Sequence, residues 1–489
     1  MFSKPLFISS TSATSAYTID QSIRFNQVDN ASMSRTPSSA SNKRTWTFSW
    51  WWKRGNLSGS TNGTNQRQII FGTSAFSILS NHNSTQIDGI NVTYTGSAND
   101  VQTLAKFRDT SAWYNFQAVL DTTHNVASER FRLYKNGQRI TSFASITNPA
   151  KDTEYTINNT QAHYIGLRNS GENLDGYLSE IVFIDGLALE PSSFGEENDD
   201  GIWIPKDVSG LTFGTNGFWI DGRDSGDLGD DESGNGNDFT ASGLAAHDQV
   251  ADSPTNSFAV INSVYSTRTT SGAGSTHTIE DGNLYQQADS YSTSNYGTRP
   301  FTVQPLNRGK WYFEFEGNTE AGGGNAVHVA ISEEGAFYVA QGAQSTNRYG
   351  LYLESGSAMY ILYPGSARQE TNAPIAQYTK IIGCAIDFDN AKMYFFVDGA
   401  EIHGQDISAG TAATNLSGWS TSSNWIIQFA TLTASDNSAR SNMMFNFGQE
   451  GTFSGTQSAG GNSDGNGIGN FKHSVPSGYL ALCTKNLGS

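Results

Sequence analysis

Residues 44–55 read RTWTFSWWWKRG. Side chains of an extended strand alternate between its two faces, so Trp46, Phe48, Trp50 and Trp52 fall on one side and Thr45, Thr47 and Ser49 on the other. A helix would scatter these rings around its circumference, because its side chains repeat every 3.6 residues rather than every two. Four large rings on one face require an opposing apolar layer, and for a strand that layer is a second sheet. Trp51 breaks the alternation by facing the polar side, where it either packs under a loop or is exposed.

The same pattern recurs along the chain. Residues 113–121 (WYNFQAVLD) and 130–140 (RFRLYKNGQRI) read as two strands. The second contains Asn136-Gly137, a dipeptide that tolerates the positive φ angles of a type I′ hairpin turn. Residues 177–189 (YLSEIVFIDGLAL) close this first unit, and the acidic stretch GEENDDG at 195–201 marks a surface boundary. In the second half, residues 308–316 (RGKWYFEFE) set Trp311, Phe313 and Phe315 inward, with Tyr312, Glu314 and Glu316 outward. Residues 384–402 (CAIDFDNAKMYFFVDGAEI) give a strand, a second strand with Met393, Phe395 and Val397 on one face, and an Asp398-Gly399 turn. The order of features mirrors the first half, which implies two copies of one architecture.

A chain of 489 residues exceeds what one core holds and suits two domains of roughly 200 residues. Only 15% of residues are charged while 12% are aromatic and 51 are glycine, the balance of a turn-rich all-β protein. The boundaries expected are a first sandwich over 1–201, an ordered connector over 202–270 and a second sandwich over 271–489. The connector is dense in Gly and Asp, yet Trp203, Phe213, Phe218, Trp219 and Phe239 punctuate it, and those rings need somewhere to be buried. Two cysteines, Cys384 and Cys483, do not make a disulfide scaffold and read as buried free thiols. A net charge of −17 argues against nucleic acid and anionic membranes as partners, since both are bound through Lys and Arg. No run approaches the ~18 apolar residues of a membrane span. The apolar stretch Pro5 to Ile8 is too short for a secretory signal, so assembly in a cytoplasm is expected.

Several motifs carry family resemblance. TWTFSWWWKRG, WYNFQAVLD and LYKNGQ resemble the laminin-G-like, concanavalin A-like jelly rolls over about residues 20–200. GKWYFEFE, IDFDNAKMYFFVDG and SGYLALCTKNL resemble the SPRY domain, itself a concanavalin-like sandwich, over about residues 275–489. GTNGFWIDGRD (214–224), DDESGNGNDFT (230–240) and DSPTNSFAVINSV (252–264) resemble a tract found in virion proteins of marine and freshwater bacteriophages, generally tail or receptor-binding structural proteins. The resemblance implies an all-β fold of two jelly-roll sandwiches and a place on the exterior of a virion, on tail or head. Implied partners are other virion proteins and host-surface polysaccharide, with assembly as a homo-oligomer, a trimer by preference.

The chemistry of sites is sparse. A glycoside hydrolase on such a sandwich needs two carboxylates flanking the sugar bond, and the Glu-x-Asp-x-x-Glu run of laminarinase-like members is missing. The nearest approach, Glu314, Glu316 and Glu320, reads as the solvent face of its strand. No catalytic residue is assigned. The string Gly461-Asn462-Ser463-Asp464-Gly465 has the spacing of a nucleophile elbow without its strand and helix, so it reads as a loop. Histidine spacing supports no zinc site, and His328 reads as a sheet histidine. Calcium is the one metal the sequence accommodates, with Asp230, Asp231, Asn235 and Asp238 as the best ligand set in the acidic connector. No Glu closes the loop as in an EF-hand, and the same turns read as solvated surface. No cofactor is required. Trp51, Tyr94 and Tyr349 are the candidate rings for stacking on a sugar, each with core packing as the alternative. These readings point to a tail-associated fibre or receptor-binding protein; the alternatives are a capsid decoration protein or head fibre, and a polysaccharide depolymerase.

Overall fold

A computed structural model describes residues 17–57, 66–82, 87–94, 96, 100–169, 172–263, 267–268, 277–288, 296–301, 306–319, 326–333, 348–354, 358–362, 369–370, 380–412, 414–415, 425–432 and 441–487. Glu320 and the stretch from Pro5 to Ile8 lie outside them. The described residues are almost entirely strand, loop and turn, with Thr484–Leu487 as the one α-helix among them. Among the described residues no helix is long and apolar enough to cross a membrane.

Two sandwiches of antiparallel sheets make up the chain. In the first, one sheet runs in the order Gln138–Arg139, Phe131–Lys135, Trp113–Asp121, Thr45–Arg54, Gly176–Asp185, Ser22–Phe25, Gln249–Val250. The facing sheet runs Phe143–Ile146, Val101–Thr103, Ile87–Thr93, Ser77–His82, Gln66–Gly72, His163–Ile165, Ser32–Arg35, Thr240–Ser242. Trp46, Phe48, Trp50 and Trp52 are fully buried between them. Phe48 stacks on Phe71 of the facing sheet at 4.5 Å, and Trp50 stacks on Phe116 of the neighbouring strand at 5.5 Å. The alternation that the sequence displays is therefore the core of this sandwich. At the Asn136-Gly137 turn both residues have positive φ, 47° and 74°, as a type I′ hairpin requires. Asp398 and Gly399 repeat that geometry in the second half, at 48° and 78°.

Gly176–Asp185 is buried along its whole length because it has covered faces on both sides. Its register against Thr45–Arg54 shifts between Ser179 and Val182, where Glu180 adopts φ 47°. This bulge lets one strand change neighbours. Residues 176–178 pair with Ser22–Phe25, and residues 181–183 pair with Phe218–Ile220 of the connector.

The connector is woven into the first sandwich rather than strung between two halves. Phe218–Ile220, Thr240–Ser242 and Gln249–Val250 join its sheets, and the rings of Phe213, Phe218, Trp219 and Phe239 are all buried there. After Asp252 the chain crosses over, and Phe258, Ala259, Val260 and Ile261 enter the core of the second sandwich. Short strands of two or three residues carry too little alternation to be read from sequence, which is why this stretch looks like a linker.

The second sandwich pairs a sheet through Tyr296–Pro300, Trp425–Leu432, Ala326–Glu333, Arg348–Glu354 and Ala358–Leu362 with one through Tyr285–Ala288, Ser441–Asn446, Lys310–Thr319, Ile381–Asp387 and Lys392–Val397. Trp311, Phe313 and Phe315 face inward as expected. The opposite face differs from expectation: Tyr312 and Glu314 are buried, not exposed to solvent. The C-terminal segment lies across them, with Leu480–Ala481 pairing in parallel with Lys310–Thr319. Alternation tells which residues share a face, not what later covers it. Cys384 and Cys483 are both buried and free.

Candidate functional site

Where the first sandwich, the connector and the C-terminal segment meet, they enclose an open cleft of about 450 Å³. Three parts of the chain build its walls: the Phe131–Lys135 hairpin with its Asn136-Gly137 turn, the ribbon of Gly195–Glu197 paired with Trp203–Pro205, and residues Pro254 to Ser257 with Thr484. The half-buried ring of Trp203 stands as one wall. Its Nε1–H donates to Asn115 Oδ1 at 3.1 Å, and its ring edge lies against two glycines. A Cβ on Gly137 would fall 2.3 Å from that ring and one on Gly195 2.5 Å from it, so any side chain at either position expels Trp203.

Beneath the cleft lies a cluster of Trp51, Trp113, Tyr177 and Val250, with Trp203 packed on it. Asn136, Gln138, Ser111 and Ser257 bring amides and hydroxyls to the walls, and Lys135 and Glu197 bring one charge of each sign. Asn136 Oδ1 accepts the Asn115 backbone N–H at 2.9 Å, which fixes the turn to the same residue that fixes Trp203. Such a surface offers ring faces, donors and acceptors without a dominant charge, a composition suited to an uncharged hydroxylated ligand.

The residues expected to act from sequence sit elsewhere or differently. Trp51 contributes to the cleft floor but is only 4% exposed, Tyr94 is 3% and Tyr349 2% exposed, so none of the three presents a stacking face to solvent. Tyr94 packs edge-on against Phe131 at 5.5 Å, and Tyr349 lies beside Trp425 at 5.9 Å. Each was needed for core packing. Of the proposed calcium ligands, Asp231 accepts from the backbone N–H groups of Trp219, Ser233 and Asn237 and from Ser233 Oγ. Asp238 accepts from the Asp231 N–H, and Asn235 donates its amide to the carbonyls of Gly214 and Gly217. These side chains knit the Gly-rich loop to itself, and with Asp230 they are not brought together as a cage: among the described residues no group of three or more His, Cys, Asp or Glu is placed to hold a metal.

Three buried carboxyl groups have strongly displaced acidities. Burial pushes Glu314 up to about 7 despite N–H groups of Lys472 and His473 and contacts from Tyr312 and Asn446 that favour its charge. Burial likewise pushes Asp175 to about 7 and Glu180 to about 8. Glu314 is fully enclosed and serves as an anchor for the C-terminal segment. Asp464 fills the same role in the loop at 461–465, accepting from the N–H groups of Asn466, Ile468 and Ala481. His328 packs edge-on against Tyr352 at 4.3 Å on the sheet.

Sequence reasoning missed Trp203, Trp113, Gln138 and Glu197 as partners in one cleft. Asn136-Gly137 and Trp203 are both prominent in the sequence, as a turn and as a connector ring. Nothing in their spacing places the ring against the turn at one opening.

No protein-family model and no curated protein matches the sequence. Among solved structures, the SPRY domain of human HERC1 is similar at 12% identity and TM-score 0.25, over 35% of this chain and 91% of that one. A heptameric SAP-like pentraxin from Limulus polyphemus is similar at 17% identity and TM-score 0.26, over 36% of this chain and 80% of that one. These likenesses are remote, and the fold stands on the strand pairing itself.

Proposed function

We propose that this protein is a non-catalytic structural and adhesion component of a bacterial virus, and that it holds host-surface polysaccharide in the cleft walled by Trp203. The observation that carries the reading is the lining of that cleft. The half-buried ring of Trp203 suits the C–H face of a pyranose, while Asn136, Gln138, Ser111 and Ser257 match its hydroxyls. The connector tract at 214–264, with its likeness to virion proteins, supports the location. The absence of a paired acid supports binding over cleavage: Glu197 is the one carboxylate among the described residues lining the cleft, and glycoside hydrolysis takes two.

The test is adsorption. Particles lacking the protein, or blocked by antibody to it, are expected to lose attachment to host cells, and purified protein is expected to bind host capsular or lipopolysaccharide preparations. Trp203→Ala should abolish that binding; because the ring also packs on Trp51, Trp113, Tyr177 and Val250, the variant should be less stable too, and binding is compared at a temperature where both proteins are folded. Undiminished adsorption, or release of reducing ends from the polysaccharide, overturns the reading. Labelled particles imaged by electron microscopy place the protein on tail or head.

A further inference from the structure

Behind the cleft floor lies a lysine with no access to water. Lys53 is the penultimate residue of the aromatic strand Thr45–Arg54, and both its side chain and that of Asp252 are 0% exposed. Lys53 Nζ stands 2.5 Å from Asp252 Oδ2, and is further held by Ser257 Oγ and the Phe258 carbonyl, each at 2.9 Å. On the other side of the carboxyl group, Trp113 Nε1–H donates to Oδ1 at 2.9 Å, and the Phe258 backbone N–H also reaches the carboxyl. Tyr177 closes the pocket, its ring centroid 5.8 Å from Nζ.

We propose that Lys53 and Asp252 condense into an intramolecular isopeptide bond. The arrangement holds a nucleophile beside an acyl carbon, supplies the Trp113 indole N–H to one carboxyl oxygen and excludes water. In the reacting form the amine is neutral and the carboxyl protonated, which is one proton tautomer of the buried pair. Burial pushes Lys53 down and Asp252 up, both toward that tautomer. The Nζ lone pair attacks Cγ, a C–N bond forms, and the carbonyl electron pair moves onto Oδ1, where Trp113 Nε1–H receives it. The intermediate then re-forms the C=O bond and breaks the bond from Cγ to Oδ2. Oδ2 departs as water, carrying its own proton and one from nitrogen. One amide and one water replace one amine and one acid, with no external reactant.

The bond would join positions 199 residues apart, fastening the aromatic strand of the first sandwich to the segment that enters the second. The experiment is intact mass analysis of the denatured full-length protein, followed by a tryptic map. The expected result is a mass lower than the sequence by one water, with the Lys53 peptide covalently joined to the Asp252 peptide. Lys53→Met should restore the full sequence mass; since that variant leaves Asp252 buried without its partner, the wild-type peptide map decides the matter if it fails to fold. A wild-type mass equal to the sequence, with Lys53 open to amine-reactive reagent in denaturant, overturns the proposal. So does a missing water that returns in mild base, which marks a succinimide at an Asp-Gly step such as Asp464-Gly465 instead.

Discussion

Asn115 accepts the indole N–H of Trp203 on its side chain and donates its own backbone N–H to the side chain of Asn136. One residue of the Trp113–Asp121 strand thus holds both walls of the cleft. Replacing it with alanine leaves the Trp203 N–H without its acceptor and costs about 1–3 kcal/mol. Asn115→Ala should also shift tryptophan emission to the red and weaken polysaccharide binding. Unchanged emission in a folded variant would show that Trp203 is held by packing alone.

Gly137 and Gly201 both line or border the cleft with positive φ, 74° and 73°. A Cβ at Gly137 meets the Trp203 ring at 2.3 Å, whereas one at Gly201 meets nothing within 4 Å. Gly201→Ala should therefore show only the backbone cost, about 1 kcal/mol. Gly137→Ala should lose more than that and lose ligand affinity as well, as read by thermal unfolding and calorimetric titration of the two variants side by side.

Trp50 is fully buried, and its N–H has no acceptor. Trp50→Ala should cost about 3–5 kcal/mol in urea unfolding. Trp50→Phe should cost clearly less, because it removes an unpaired donor together with part of the ring. Equal losses in the two variants would contradict this account of the core.

Acidity gives a fourth prediction. Glu180 is raised to about 8, held in a buried site by Tyr17 and Trp219. A group whose folded value lies above its unfolded one binds more protons when folded, so its contribution is complete below about 4.5 and fades as pH rises through 8. Asp175 and Glu314 act in the same direction. His163 acts in the opposite one: lowered to about 4 by burial, it stabilises the fold above 6.5 and loses that contribution as pH falls. The melting temperature should therefore decline from about pH 5 to about pH 8, three groups outweighing one. Glu180→Gln, which keeps a partner for Tyr17, should flatten the alkaline part of that decline; an unaltered pH profile would assign it to other groups.

How far the sequence could be read follows from the range of each signal. Trp46 to Trp52 declare their layer because alternation is local and the core that receives it is apolar throughout. Asn136-Gly137 and Asp398-Gly399 declare their turns because the required φ angles belong to those residues. Glu314 was misplaced because its neighbours in sequence say nothing of Lys472 and His473, which arrive from far along the chain to bind it. Trp51, Tyr94 and Tyr349 carry two readings in the sequence, stacking ring or core packing, because whether a ring is roofed over depends on residues distant along the chain. The cleft itself needs positions 136, 203 and 484 together, and no local pattern joins them.

The connector strands Thr240–Ser242 and Gln249–Val250 occupy the last place in the order of one sheet each of the first sandwich. They are three and two residues long and end in loops, so each ladder terminates in a stub instead of a long row of open N–H and C=O groups. A neighbouring copy finds little to zip onto along those borders. Copies of this chain can then lie side by side without fusing into a common sheet, and a fragment cut at residue 201 would uncover Ser22–Phe25 and Ser32–Arg35 and lose that safeguard.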